Sequence, residues 1–286
     1  MKTCQLFNAI TNAAPALEFN FATFHLSCRN RTVQHDGEQR HALSQRTFSA
    51  NQQPAPGTVQ VWEIALDMPA SVVAGAQACL PEVELVRAKA FRDESTKHRH
   101  ILAHAALRCL LAHKLRCNPR EITFQIGPFG KPALPAERHA ALHFNLSHSG
   151  ELALVALCDA AEVGVDIEHI RPVRDPIALA KRFFTPGEQD ELAAAPPEDQ
   201  INCFFRLWTQ KEALLKATGQ GIANGLQRFE VTCRGGGGLV AMDGEKITET
   251  EWSLANWSPH AEYVAACAVY VRNATIALKP FSFADI

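Results

Sequence analysis

The chain reads as an α+β protein made of two similar lobes, with a functional cleft between them. Two observations predict it. Strand-like alternation and helical periodicity follow one another twice, and each half places its helices before late antiparallel strands. The folded pattern starts only after Gln52-Gln53-Pro54-Ala55-Pro56-Gly57, which divides the chain into an extension over 1–57, a first lobe over 58–158 and a second over 159–286. Ligands usually bind between two such halves, so a site made from elements of both would sit in the cleft where they meet.

Residues 1–57 hold a Phe cluster at 19–24 and then a stretch rich in Arg, Gln, His, Asn and Ser. That composition buries too little apolar surface to offset ordering entropy, so disorder is expected apart from a short element around Leu17–Phe24. Val59–Leu66 alternates and predicts the first strand, followed by helices over Glu82–Phe91 and Ser95–Leu115. Ile122–Ile126 predicts a short strand, Gly127–Pro132 a turn, and His143–Ser147 and Glu151–Leu157 two further strands. After the strand Val163–Glu168 comes a helix over Ile177–Phe184. Thr185-Pro186-Gly187-Glu188 has the form of a capping box with proline at the first helical position. A long helix over Asp199–Thr218 follows, then strands near Phe229–Cys233, Leu239–Ala241, Trp252–Trp257 and Val264–Val271.

Net charge is -2 with a pI near 6.6, so no global basic field points to nucleic acid. The nine cysteines are scattered without a C-x-x-C, which predicts free thiols in a reducing cytoplasm and no disulfide framework or zinc site. No apolar run approaches the ~20 residues that span a bilayer. The first residues are broken by Asn, Thr, Pro and Glu, a poor signal peptide, so a cytoplasmic protein is expected.

The chemistry concentrates between Val163 and Lys216. In a strand Asp166 and Glu168 point one way while Val165 and Ile167 point the other. In a helix Trp208, Glu212 and Lys216 share one side. Two carboxylates on a strand and a third on a helix, with a lysine one turn on, can hold a hard divalent cation such as Mg²⁺ beside a phosphate. The competing reading is a solvated acid face and a surface Glu–Lys pair. Apolar flanks around the acids and a tryptophan on the side of Glu212 weigh toward a cleft.

Other signals carry less. His98, His100 and His104 start a helix without an H-E-x-x-H, so zinc is not expected there. Gly219-Gln220-Gly221 follows a helix and reads as its C-cap, and Gly235–Gly238 reads as a hairpin turn. Ser147-His148 lacks a nucleophile elbow and suits ligand binding better than covalent catalysis.

Taken together, five segments in order resemble the 4′-phosphopantetheinyl transferases of the longer, single-chain, surfactin-synthetase-activating type. They are Gly130-Lys131-Pro132, Phe144-Asn145-Leu146-Ser147-His148-Ser149, Gly164-Val165-Asp166-Ile167-Glu168, Arg182-Phe183-Phe184, and Trp208-x-x-Lys211-Glu212-Ala213-x-x-Lys216. The resemblance spans about residues 59–275. It implies two lobes related by a pseudo-two-fold axis, acting as a monomer with no membrane or nucleic-acid partner. It also implies transfer of the 4′-phosphopantetheine arm of coenzyme A to a serine of an acyl or peptidyl carrier protein, with adenosine 3′,5′-bisphosphate released. Asp166, Glu168 and Glu212 would ligate Mg²⁺, and Glu212 would also take the serine proton. Lys216, with Lys211, would contact the pyrophosphate. Ser147, His148 and Arg99 would grip the 3′-phosphate, Lys131 and Pro132 would frame the adenine, and Glu188 would stand near the site. Arg171, Arg174, Lys181 and Arg182 offer a basic surface for an acidic carrier. One departure is acidic: Asp93 and Glu94 precede the first-lobe helix, where the family often carries basic residues. The alternatives are a non-catalytic coenzyme A-binding module of the same fold, and a metal phosphohydrolase using water.

Overall fold

The structure, a computed structural model, describes residues 57–136, 142–221, 225–247 and 251–285. Most of the expected extension over 1–57, with its Leu17–Phe24 element, lies outside the described residues.

Strand β1 (Thr58–Ala65) opens the fold and is followed by helices α1 (Ala70–Gln77), α2 (Glu82–Lys89) and α3 (Glu94–Leu115). Helix α2 carries acids in its first turn and bases in its last, matching its dipole. Asp93 caps α3, its carboxylate accepting from Thr96 N at 2.7 Å. The small hairpin β2 (Gln125–Ile126) and β3 (Pro132–Ala133) leads to β4 (His143–Ser149), β5 (Leu152–Cys158) and β6 (Val163–His169). Then come α4 (Pro176–Phe183), α5 (Pro186–Ala194) and α6 (Gln200–Thr218). The capping box forms as expected, and Gly219 ends α6 in the left-handed region at φ 68. Strands β7 (Phe229–Thr232), β8 (Gly238–Met242), β9 (Glu245–Lys246), β10 (Ser253–Trp257), β11 (Tyr263–Val269) and β12 (Thr275–Pro280) complete the chain.

The first sheet runs β12-β1-β5-β4 and the second β10-β11-β6, with β7-β8-β9 as a separate three-stranded sheet. Helix α3 packs on the first sheet around Leu102, Leu107 and Val155, and α6 on the second around Phe204, Leu214 and Ala266. Between the sheets a third apolar layer unites Val59 and Val61 with Val163, Val165, Ile167, Ala265 and Cys267. Each lobe thus has its own core, and a shared layer welds them into one body.

The final strand returns to the opening one: β12 pairs in parallel with β1, so the first sheet contains residues from far beyond position 158. Two other sequence expectations give way. The strand over Ile122–Ile126 shrinks to Gln125–Ile126, because Ile122 is buried as the anchor of the Asn118-capped turn. Of the nine cysteines expected as thiols, Cys203 and Cys233 are joined in a disulfide, their Cα atoms 5.7 Å apart where β7 ends beside the start of α6. Cys79, Cys109, Cys117, Cys158 and Cys267 are free, as expected.

Candidate active site at the junction of the lobes

Among the described residues strand β6 pairs with β11 on one side only, with Asp166 opposite Ala266 and Glu168 opposite Val264. Alternation sends Val163, Val165 and Ile167 into the layer between sheets, which leaves the acids on the side of α6. Gly164 makes the approach possible. A Cβ there would lie 2.0 Å from Ala213 O and 2.4 Å from Ala217 N, so the helix backbone rests directly on the strand. That contact brings Glu212 and Lys216 over Asp166.

The free edge of β6 faces β4, and polar side chains of β4 occupy it at every second residue. Asn145 Oδ1 accepts from Val165 N at 2.9 Å, Ser147 Oγ donates to Asp166 Oδ1 at 2.8 Å, and Ser149 Oγ donates to Glu168 Oε2 at 2.9 Å. Ser149 Oγ also accepts from His169 N at 3.1 Å. Edge amides that could template another strand are thereby satisfied within the fold.

Asp166, Glu168 and Glu212 are all buried. Lys216 Nζ binds Asp166 Oδ1 at 2.6 Å and also reaches Ser147 Oγ and Val165 O. Arg171 Nη1 stands 3.4 Å from Glu168 Oε2. Burial, and then the charge of Asp166, pushes Glu168 up to about 7 and Glu212 up to about 8. The sequence-predicted acids therefore converge closely enough to repel one another. They do not stand as a closed ligand set: among the described residues no group of three or more His, Cys, Asp or Glu side chains has metal-binding spacing. Lys216 and Arg171 each engage one carboxylate oxygen, Asp166 Oδ1 and Glu168 Oε2. Among the described residues, Asp166 Oδ2 and both oxygens of Glu212 are buried without a hydrogen-bond partner.

Other expected site residues separate. Lys211 is a correction: it lies at 0% exposure, one residue from Glu212 but on another face of α6. Its ammonium is held by both oxygens of Glu188 at 2.7 Å and by Phe229 O, so Lys211 and Glu188 are a sealed pair inside the second lobe and not contacts of a ligand. Trp208 likewise belongs to the core, with Phe183 and Phe204 around it. Ser147 and His148 are neighbours on a strand and face opposite sides of it, so their side chains cannot close on one phosphate from the same side. His148 is turned toward the α3 side; burial first, then the charges of His104 and His100, lowers its pKa to about 3. Arg99 is partly exposed and 3.3 Å from Glu151. Lys131 bonds Glu162, Val163 O and Ala217 O, tying the β2–β3 hairpin to β6 and to the end of α6. Pro132 follows in β3. The acidic departure before α3 is neutralised locally, since Asp93 serves as the cap and Glu94 pairs with Lys97 at 3.1 Å. Ser149, to which the sequence pattern assigns no role, stands against Glu168; the signal available is its i, i+2 spacing from Ser147, matched to that of Glu168 from Asp166.

The family model described as the 4′-phosphopantetheinyl transferase superfamily matches residues 162–268, and that of the 4′-phosphopantetheinyl transferase N-terminal part matches residues 69–160. The 4′-phosphopantetheinyl transferase HetI of a Nostoc species is 40% identical over 214 residues, covering 74% of this chain and 87% of HetI. The chain belongs to the 4′-phosphopantetheinyl transferase superfamily. A 4′-phosphopantetheinyl transferase of Bacillus subtilis is 31% identical over 186 residues, 62% of this chain and 81% of that one. Sfp of Bacillus subtilis strain 168 is 32% identical over 145 residues, 51% and 62% of the two chains. The two family matches meet between residues 160 and 162, immediately before β6. The transferase is thus an enzyme whose substrates are coenzyme A and a carrier protein, and its three acids all fall within the second matched part.

Proposed function

We propose that Asp166 and Glu168 of β6 and Glu212 of α6 hold Mg²⁺, and that beside them the 4′-phosphopantetheine arm of coenzyme A passes to the serine hydroxyl of an acyl or peptidyl carrier protein. The observation carrying this reading is the set of orphaned buried oxygens, Asp166 Oδ2 and Glu212 Oε1 and Oε2. Unpartnered buried carboxylate oxygens are costly, and an all-oxygen donor set suits a hard cation. When bound, Mg²⁺ neutralises the pyrophosphate and the charge that builds on the leaving bisphosphate.

The chain's own residues do the remaining work. Lys216 sits on Asp166 as a compact positive charge and is the group placed to meet the pyrophosphate oxygens. Glu212 is the best acceptor for the serine proton, since among the described residues neither of its oxygens has a hydrogen-bond partner. His148 and Arg99 supply donors on the first-lobe side for the 3′-phosphate, and the hairpin held by Lys131, with Pro132, frames the adenine. Arg171, Arg174, Lys181 and Arg182 form the basic surface that receives an acidic carrier. One chain supplies both walls of the cleft, which supports a monomer, and the coenzyme A substrate supports a cytoplasmic setting. No helix among the described residues is long and apolar enough to cross a membrane.

The test is a panel of apo-carriers incubated with coenzyme A and Mg²⁺ and read by intact mass, alongside a carrier-free control assayed for adenosine 3′,5′-bisphosphate. The expected result is a gain of one phosphopantetheine per carrier, lost in Asp166→Ala and Glu212→Gln variants that keep their thermal transition. Bisphosphate release without a carrier, or full turnover in either variant, would overturn the reading.

A further inference from the structure

Strands β4 and β6 run side by side with serines at 147 and 149 matched to acids at 166 and 168. The two serines are committed differently. Ser147 Oγ takes its incoming hydrogen from Lys216, a side-chain donor shared with Asp166 and Val165 O. Ser149 Oγ takes its own from the backbone amide of His169, a donor fixed by the strand. A hydroxyl has one hydrogen to give. With the His169 amide pointing at its oxygen, that hydrogen is directed to Glu168 Oε2 at 2.9 Å. Ser149 is itself buried, at 4% exposure, so water does not compete for it.

We propose that Ser149 is a positioning residue for the cation site: by holding Glu168 Oε2, it leaves Oε1 as the oxygen presented to a divalent cation and fixes the carboxylate's rotation. The proposal rests on the metal reading above. Partners that orient a metal-binding carboxylate commonly alter affinity by about 10–100-fold when removed. Arg171 reaches the same oxygen at 3.4 Å from a partly exposed side chain, a longer contact than the hydroxyl's 2.9 Å.

The experiment titrates Mn²⁺ into the full chain saturated with coenzyme A and reads free Mn²⁺ by electron paramagnetic resonance. It compares the unaltered chain with Ser149→Ala, Ser149→Thr and Asp166→Ala, and records each thermal transition without cation. The unaltered chain is expected to bind and Asp166→Ala not to bind. Ser149→Ala should bind about tenfold or more weakly, and Ser149→Thr should recover most of the loss. In turnover, Ser149→Ala should raise the half-saturating Mg²⁺ while kcat at saturating Mg²⁺ stays within about twofold, a split that lost stability alone does not produce. If Ser149→Ala fails to fold, Ser149→Cys carries the same comparison. Unchanged Mn²⁺ affinity in Ser149→Ala, or no recovery in Ser149→Thr, overturns the assignment of Ser149 while the metal reading stands. No Mn²⁺ binding by the unaltered chain, or binding indifferent to Asp166→Ala, overturns both.

Discussion

Gly164 is where one side chain atom decides whether the site exists. Adding a methyl group there forces the backbone of α6 off β6, since the nearest atoms are backbone and cannot rotate away. Gly164→Ala is expected to cost on the order of 3 kcal/mol or more by overpacking, and to lower denaturant midpoint and activity together. Lys211 and Glu188 behave differently. Burial pushes the lysine down and the glutamate up, each toward its neutral form, with the opposite charge as the restraint. Removing one partner should cost about 3–5 kcal/mol, whereas Lys211→Met with Glu188→Leu should recover much of it; equal stability of single and double variants would deny the pairing. His100 gives the pH dependence. Its imidazole is buried, with Nδ1 unpartnered among the described residues, and burial, followed by the charge of His104, lowers its pKa from 6.5 to about 4. Between those values the unfolded chain binds a proton that the folded chain refuses, so stability falls as pH drops from 6.5 toward 4. His148 acts in the same direction, while Glu84, held near 2 despite burial by His104 and Arg108, contributes its loss only below 4.5. His100→Gln should flatten the upper part of the melting curve against pH. The acids and Lys216 were legible because strand alternation and helix spacing are local rules. The fate of Lys211 was not, because which face of α6 turns inward depends on contacts with β7 and α5 that no short pattern contains.

The elements read most clearly were those with strong periodicity or caps: α3 over Glu94–Leu115, α5 behind its capping box, and α6 ending at Gly219. Helix α1 escaped notice because only Val73 and Ala76 of its eight residues are buried and Gly75 interrupts it. Strand β12 escaped because its alternation is weak and its partner, β1, lies more than two hundred residues earlier. Such a parallel return joins the ends of the fold. Removing residues from 275 onward should expose the edge of β1 and lower the melting temperature or solubility of the whole chain; an unchanged transition would show that β12 is dispensable. The Cys203–Cys233 link depends on the same kind of long-range placement. It closes a 30-residue separation and should add about 3 kcal/mol to stability, read as the change in denaturant midpoint on reduction.

For the molecule as a whole, two lobes each bury a core, and the apolar layer between their sheets holds them in register. That layer is why β6 can carry three apolar residues on one face and two acids on the other without unfolding. Fold class, the two lobes and the approach of Glu212 and Lys216 to the acids of β6 were readable from sequence because they follow from patterning; the way Ser147, Ser149 and Asn145 seal the seam was not, since it requires knowing that β4 and β6 are neighbours. The most direct measurement is a crystal of the chain with coenzyme A and Mn²⁺, examined by anomalous scattering at the manganese edge. The account predicts one peak within coordination distance of carboxylate oxygens from Asp166, Glu168 and Glu212 and of the pyrophosphate. A metal bound elsewhere, or held by coenzyme A with none of these three carboxylates in reach, would contradict it.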